Sequence, residues 1–176
     1  MARVTLVKEQ QRPDLAAVVA KIRKGRDGRL LNLYRALLNS SELAAAWFDF
    51  NNAVRFQTAV GERLRELVIM RVAVLNGTDY VIRIHKARYA ESAGVTPAEV
   101  EALHDWRSSE LFDAKERALL AYVDAMTRDV AVREAVFESV RARFNETAIV
   151  ELTVLAAAYN MHTRVLKALD IDPETE

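Results

Sequence analysis

Two residues of complementary chemistry stand out in this sequence: Glu66 inside an apolar stretch, and His85 on the stripe Thr78, Val81, Ile82, His85 and Tyr89. That stripe repeats at spacings of three and four, so it forms one face of a helix. Asn76-Gly77 marks a tight turn between the two segments, with Glu66 eleven residues before Gly77 and His85 eight after it. The segments are therefore expected to pack as an antiparallel hairpin. At 1.5 Å of rise per residue, the two side chains differ in height by about 4 to 5 Å. Facing one groove, they meet directly or through one water. A carboxylate beside an imidazole raises its basicity and fixes its tautomer, which makes a proton-transfer device near neutral pH. The competing reading is a core histidine, with Glu66 bonded to Arg63 or Arg71 on its own helix.

Other constellations carry less. The three histidines, His85, His104 and His162, do not lie within a helical turn of one another. Glu101-x-x-His104 matches half of a carboxylate di-iron signature, but the second Glu-x-x-His is absent, so no metal site is expected. There is no Gly-x-Ser-x-Gly and no cysteine, which removes the usual nucleophile motifs. Gly25-Arg26-Asp27-Gly28 lacks the Gly-Lys-Ser/Thr ending and the preceding strand of a phosphate loop. Its neighbours Lys21, Arg23, Lys24, Arg26 and Arg29 read as a solvated helix end, where cations suit the dipole. An anion pocket or an interface is the sharper alternative for them.

The elements that must position Glu66 and His85 are helices. Leu15, Val18, Val19 and Ile22 follow Pro13 with helical spacing, and Gly25 stops the run. Further helices are predicted over residues 30–38, 42–57 (capped by Ser41), 62–76 (closed by Gly77) and 79–93 (capped by Thr78, closed by Gly94). Thr96-Pro97-Ala98-Glu99 is a capping box that starts a helix to about His104, and Asp113-Ala114-Lys115-Glu116 starts another to about Thr127. The last two are predicted over 132–144 and 146–169. Residues 4–7 are the one weak strand candidate. Residues 64–75 and 150–159 are apolar on most of their circumference, so both helices are expected to be covered on several sides. Two such helices in a chain this size point to a subunit interface. The reading is all-α, a single domain over 1–176 with about nine helices.

Composition narrows the function classes. The 176 residues carry 25 Lys plus Arg against 25 Asp plus Glu, with 51% hydrophobic residues, 5 Gly and 3 Pro. Such a chain folds rather than staying disordered, and its neutral charge leaves no footprint for nucleic acid. The absence of cysteine removes disulfides, thiolate metal sites and thiol redox chemistry. No stretch approaches the roughly 20 apolar residues of a spanning helix, and residues 1–11 carry no leader pattern. A soluble cytoplasmic protein without a membrane partner is expected.

The run Arg65-Glu66-Leu67-Val68-Ile69-Met70-Arg71-Val72-Ala73-Val74-Leu75-Asn76-Gly77-Thr78-Asp79-Tyr80-Val81-Ile82-Arg83-Ile84-His85, continued by Ala93-Gly94-Val95-Thr96, resembles the core of the carboxymuconolactone decarboxylase and alkylhydroperoxidase D family. Flanking pieces, Gly28-Arg29-Leu30-Leu31-Asn32-Leu33-Tyr34-Arg35, Glu151-Leu152-Thr153 and Tyr159-Asn160-Met161, resemble one branch of it. The resemblance implies a helical fold of that type, assembled as a homo-oligomer (trimer, hexamer or dimer). Peroxidase members carry a glutamate, a Cys-x-x-Cys and a histidine. The glutamate and histidine correspond to Glu66 and His85, and the two cysteines to Thr78 and Val81. Thiol-dependent peroxide reduction is therefore not implied. Tyr80 replaces a histidine of the best-known peroxidases, and Val81 a glutamate of the decarboxylases. What the resemblance implies is a cofactor-independent acid–base enzyme of lyase or isomerase type. Its substrate class is a small organic acid, lactone or enolisable carbonyl compound. His85 would shuttle the proton and Glu66 would orient it. Thr78 and Tyr80 would offer hydroxyls beside Val81, Trp47, Tyr34 and Tyr159 are candidates for an aromatic wall, and Arg35, Arg71 or Arg164 would hold a carboxylate. The alternatives are a peroxidase relative without redox cysteines and a non-catalytic helical ligand-binding oligomer.

Overall fold

A computed structural model describes residues 2–174. Among them are nine α-helices and no strand. None of these helices is long and apolar enough to cross a membrane. The internal contacts divide the chain into two compact units, residues 2–57 with 165–174, and Thr58–Arg164.

The first unit holds α1 (Ala16–Lys24), α2 (Asn32–Leu37) and α3 (Ser41–Phe56). Pro13 opens a short 3-10 turn, Pro13–Leu15, that leads into α1. Gly25 stands at the C-cap of α1, where any side chain would meet the Phe48 ring at 2.5 Å. The basic residues on either side of it have partners inside the unit. Arg26 is buried, with its guanidinium over the rings of Tyr34 and Phe48 and bonded to the Tyr34 hydroxyl at 2.9 Å. Arg23 pairs with Glu9, and Lys21 with Asp49. The cluster is therefore largely spent on internal contacts.

The second unit is built around α4 (Glu62–Leu75), which packs against α5 (Asp79–Arg88) and α7 (Ala114–Asp124). Every residue of α4 from Arg65 to Ala73 is buried, as its all-round apolar pattern requires. Leu67 and Met70 join Val95, Val100, Leu103, Trp106, Phe112 and Leu120 in one apolar cluster. The turn from α4 to α5 is a Schellman motif. Gly77 takes φ 58°, the Thr78 amide donates to Ala73 O at 2.9 Å, and the Gly77 amide donates to Val74 O at 3.1 Å. Glycine adopts that left-handed backbone without a Cβ penalty. The Asn76 side chain ties the turn to α9 (Glu146–Ala168) through Asn160 and Thr163.

Both expected capping boxes form, at α6 (Pro97–Ala102) from Thr96 and at α7 from Asp113. Their third-position glutamates, Glu99 and Glu116, hold one guanidinium, that of Arg63, at 2.5 and 2.6 Å. The hydrogen bond from Arg63 holds the Glu99 carboxyl down at about 2, against the opposing effect of burial. Four expectations are corrected in detail. α5 stops at Arg88, five residues short, because Ala90 to Gly94 form a turn closed at Gly94 with φ 75°. Thr78 takes the N-cap place without a side-chain cap bond, and Ser40, not Ser41, stands at that place on α3. α7 runs into a π-helical turn, Ala125–Asp129, that ends at Val130 with φ 60°. α8 (Glu134–Arg141) completes the unit.

Candidate active site

Glu66 on α4 and His85 on α5 meet in the second unit. His85 Nδ1 lies 2.5 Å from Glu66 Oε2, and both residues are buried, 5% and 2% exposed. The Schellman turn aligns the two helices so that the small difference in height counted along them becomes a direct contact. The competing partners of Glu66 are engaged elsewhere. Arg63 holds Glu99 and Glu116, and Arg71 pairs with Asp124 at 2.6 Å. An imidazole bonded through Nδ1 to a carboxylate has its tautomer and ring orientation fixed.

Aromatic rings flank this pair. The His85 ring lies 5.1 Å from that of Tyr89 and 5.7 Å, edge to face, from that of Tyr159. On the far side Tyr159 stacks on His162, at 5.3 Å and 13°. The sequence carried the signal for that last contact, because Tyr159 and His162 are three residues apart on one helix and so share a face.

The remaining candidates distribute as follows. Thr78, Tyr80 and Val81 are buried on and before the first turn of α5, and Thr78 Oγ1 reaches Asn76 O at 3.5 Å. Tyr159 is buried on α9. Trp47 and Tyr34 are buried on α3 and α2, in the first unit. Arg71 is not available to a substrate carboxylate. It is 2% exposed and bonds Asp124 and Leu103 O. Asp124 also accepts from Arg107 at 2.6 Å and from the Trp106 indole at 3.2 Å. Burial pushes the Asp124 carboxyl up, and these donors, Arg71 foremost, outweigh it and bring it below the ordinary value. Arg164 is exposed and donates to Asn160 Oδ1 at 2.6 Å. His104 is exposed, and Glu101 pairs with Lys86.

Comparison with known proteins agrees with this architecture. Residues 41–125 match the carboxymuconolactone decarboxylase family. The uncharacterized protein YnjA of Escherichia coli K12 is 32% identical over 109 residues, 61% of this chain. The chain spans 59% of that relative's length. An uncharacterized peroxidase-related protein from Silicibacter sp. TM1040 superposes with a TM-score of 0.84 at 24% identity, over 99% of this chain and 92% of that one. The debrominase Bmp8, solved with 2,3,4-tribromopyrrole, superposes with a TM-score of 0.80 at 20% identity, over 99% and 95%. These likenesses establish the all-helical fold of the alkylhydroperoxidase D type. The match to the carboxymuconolactone decarboxylase family thus covers residues 41–125, in a chain that contains no cysteine.

Proposed function

We propose that the chain is a cofactor-independent acid–base enzyme acting on a small organic acid, lactone or enolisable carbonyl compound. The observation that carries this reading is the buried contact of 2.5 Å between His85 Nδ1 and Glu66 Oε2. In this role His85 takes a proton from a carbon next to a carbonyl through Nε2 and returns it to the product. Glu66 holds the imidazole in the required tautomer and stabilises the imidazolium while it exists. Tyr89 and Tyr159 border the imidazole, and such rings confine an apolar substrate body. Thr78 and Tyr80 are the proposed hydroxyl donors to its oxygens. Peroxide reduction through a thiol needs a thiolate, and this chain has no cysteine to supply one.

The test is α-proton exchange in deuterium oxide, followed by NMR over a panel of small keto acids, lactones and ketones. The wild-type protein is expected to exchange at least one class. His85→Gln is expected to lower that rate by about 10² to 10⁴-fold, with the helical circular-dichroism signal kept. Exchange unaffected by His85→Gln overturns the assignment. A panel that stays silent while ligands still bind leaves the non-catalytic, ligand-binding reading.

A further inference from the structure

One face of α9 and the end of the π-helical turn enclose a groove of about 360 Å³, lined by Met126, Val130, Ala157, Asn160, Met161 and Arg164. That size is at the small end for a small-molecule site, and mostly apolar walls with a few placed polar groups are the usual pattern of one. The groove is not the place where Glu66 and His85 meet. Tyr159, which borders His85, stands about 160° round the helix from Ala157.

Arg164 is the one charged residue in this lining. It donates through Nη1 to Asn160 Oδ1 at 2.6 Å. Among the described residues it has no carboxylate partner, and its Nε and Nη2 make no bond. The anchor that holds it is rigid. Asn160 is 7% exposed, its Nδ2 donates to Thr127 Oγ1 at 2.9 Å and to Ala156 O at 3.0 Å, and its Oδ1 also accepts from Asn76 at 3.0 Å. A guanidinium already held at one nitrogen loses less freedom when it closes on an anion. Its remaining Nε–Nη2 edge is the fork that grips a carboxylate through two parallel bonds.

We propose that this groove binds a small carboxylate with an apolar body, the carboxylate on Arg164 and the body along Met126, Val130, Ala157 and Met161. Charge and polarity select this occupant. The lone cation repels a cationic ligand, and a fully polar anion such as phosphate would leave the apolar walls uncovered. Methionine side chains reshape around bodies of different outline. Val130 fits the same reading. It is 83% exposed at the end of the π-helical turn, with φ 60°. Strained backbone of this kind gathers at ligand clamps, and π-helical turns gather at functional sites. The inference does not depend on the chemistry at His85.

Methyl NMR of the full chain labelled at methionine reads the site directly. Met126 and Met161 line the groove, whereas Met70 is buried in the cluster around Leu67. Hexanoate is expected to shift the Met126 and Met161 methyls and leave Met70 in place, with a dissociation constant of about 1 mM or tighter. Arg164→Gln, at an exposed position, is expected to weaken binding about 10- to 100-fold. Hexanamide, acetate and inorganic phosphate test the two halves of the ligand without any variant, and each is expected to bind at least about 10-fold more weakly than hexanoate. His85→Gln is expected to bind hexanoate as the wild type does, so a failure of the acid–base reading leaves this site standing. Hexanoate that moves neither methyl, equal binding of hexanamide, acetate or phosphate, or unchanged binding in Arg164→Gln overturns the proposal. Methyl shifts that vanish in His85→Gln assign the ligand to the catalytic pair and overturn it as well.

Discussion

Helix α4 carries two buried contacts of nearly equal length, five residues apart. Glu66 meets His85 at 2.5 Å, and Arg71 meets Asp124 at 2.6 Å. By distance and burial the two are alike, and what separates them is the chemistry of the partners. The guanidinium of Arg71 stays charged at any pH the protein survives. Its carboxylate also accepts from Arg107 and Trp106, so this network is a fixed piece of the core. His85 is the one partner of the four whose ordinary titration falls near neutrality, and it is bordered by the rings of Tyr89 and Tyr159. A buried ion pair becomes a candidate for catalysis when one member can change its charge at low cost. Closeness alone does not distinguish it.

The largest effect that tests this contrast is on stability. Arg71→Met leaves Asp124 buried beside Arg107 alone among the cations, and removing one partner of a buried pair costs about 3 to 5 kcal/mol. Glu66→Gln keeps the shape and a hydrogen bond to His85, so it is expected to cost only about 1 kcal/mol. Urea titrations of the two variants read the difference. Arg71→Met/Asp124→Leu is expected to recover part of the loss, because no unpaired charge remains. Equal losses for Arg71→Met and Glu66→Gln would break the distinction between a fixed network and a titratable pair.

The sequence made one of these contacts legible and hid the other. The Glu66–His85 contact follows from a glycine turn and a count of residues on each side, because a short hairpin fixes the register of its two helices. Arg71 read as a possible carboxylate holder because its partner, Asp124, is 53 residues away, and no local pattern ties two helices at that separation. The capping boxes were legible for the same reason as the hairpin, since each closes within four residues. The π-helical turn at Ala125–Asp129 was not. The periodicity of α7 continues through it, and the residue type of Val130 gives no sign of its left-handed backbone, φ 60°.

A third ionic cluster on α4 sharpens the comparison through pH. Glu99 is held at about 2, first by the hydrogen bond from Arg63. A carboxyl depressed on folding stabilises the protein above its ordinary value, and that contribution is lost as pH falls from about 4.5 toward 2. Wild-type stability is therefore expected to drop over this window. Glu99→Gln should lower stability at pH 7 by about 2 kcal/mol, discounting the part-exposed Arg63, and should flatten the drop. Asp124, also brought below its ordinary value, retains an acid-side slope of the same sign. Unfolding curves at pH 7, 4 and 2.5 read both effects. A wild-type slope that survives intact in Glu99→Gln would assign the acid sensitivity to Asp124 instead.

The smallest effect concerns the cap that presents Glu99. Thr96 Oγ1 accepts from the Glu99 amide at 3.2 Å, and the Thr96 amide donates to Glu99 Oε2 at 2.7 Å. Thr96→Ala removes the side-chain half of this box and is expected to cost about 1 kcal/mol, a shift of roughly 2 to 4 °C in Tm for a chain of this size. Thr96→Ser should restore it. The backbone half of the box keeps Glu99 aimed at Arg63, so the acid-side slope should survive in Thr96→Ala while the Tm falls. If the slope disappears together with the cap, the threonine hydroxyl, and not the guanidinium, sets the Glu99 charge. The Arg63 cluster would then be a consequence of helix capping rather than a third independent tie on α4.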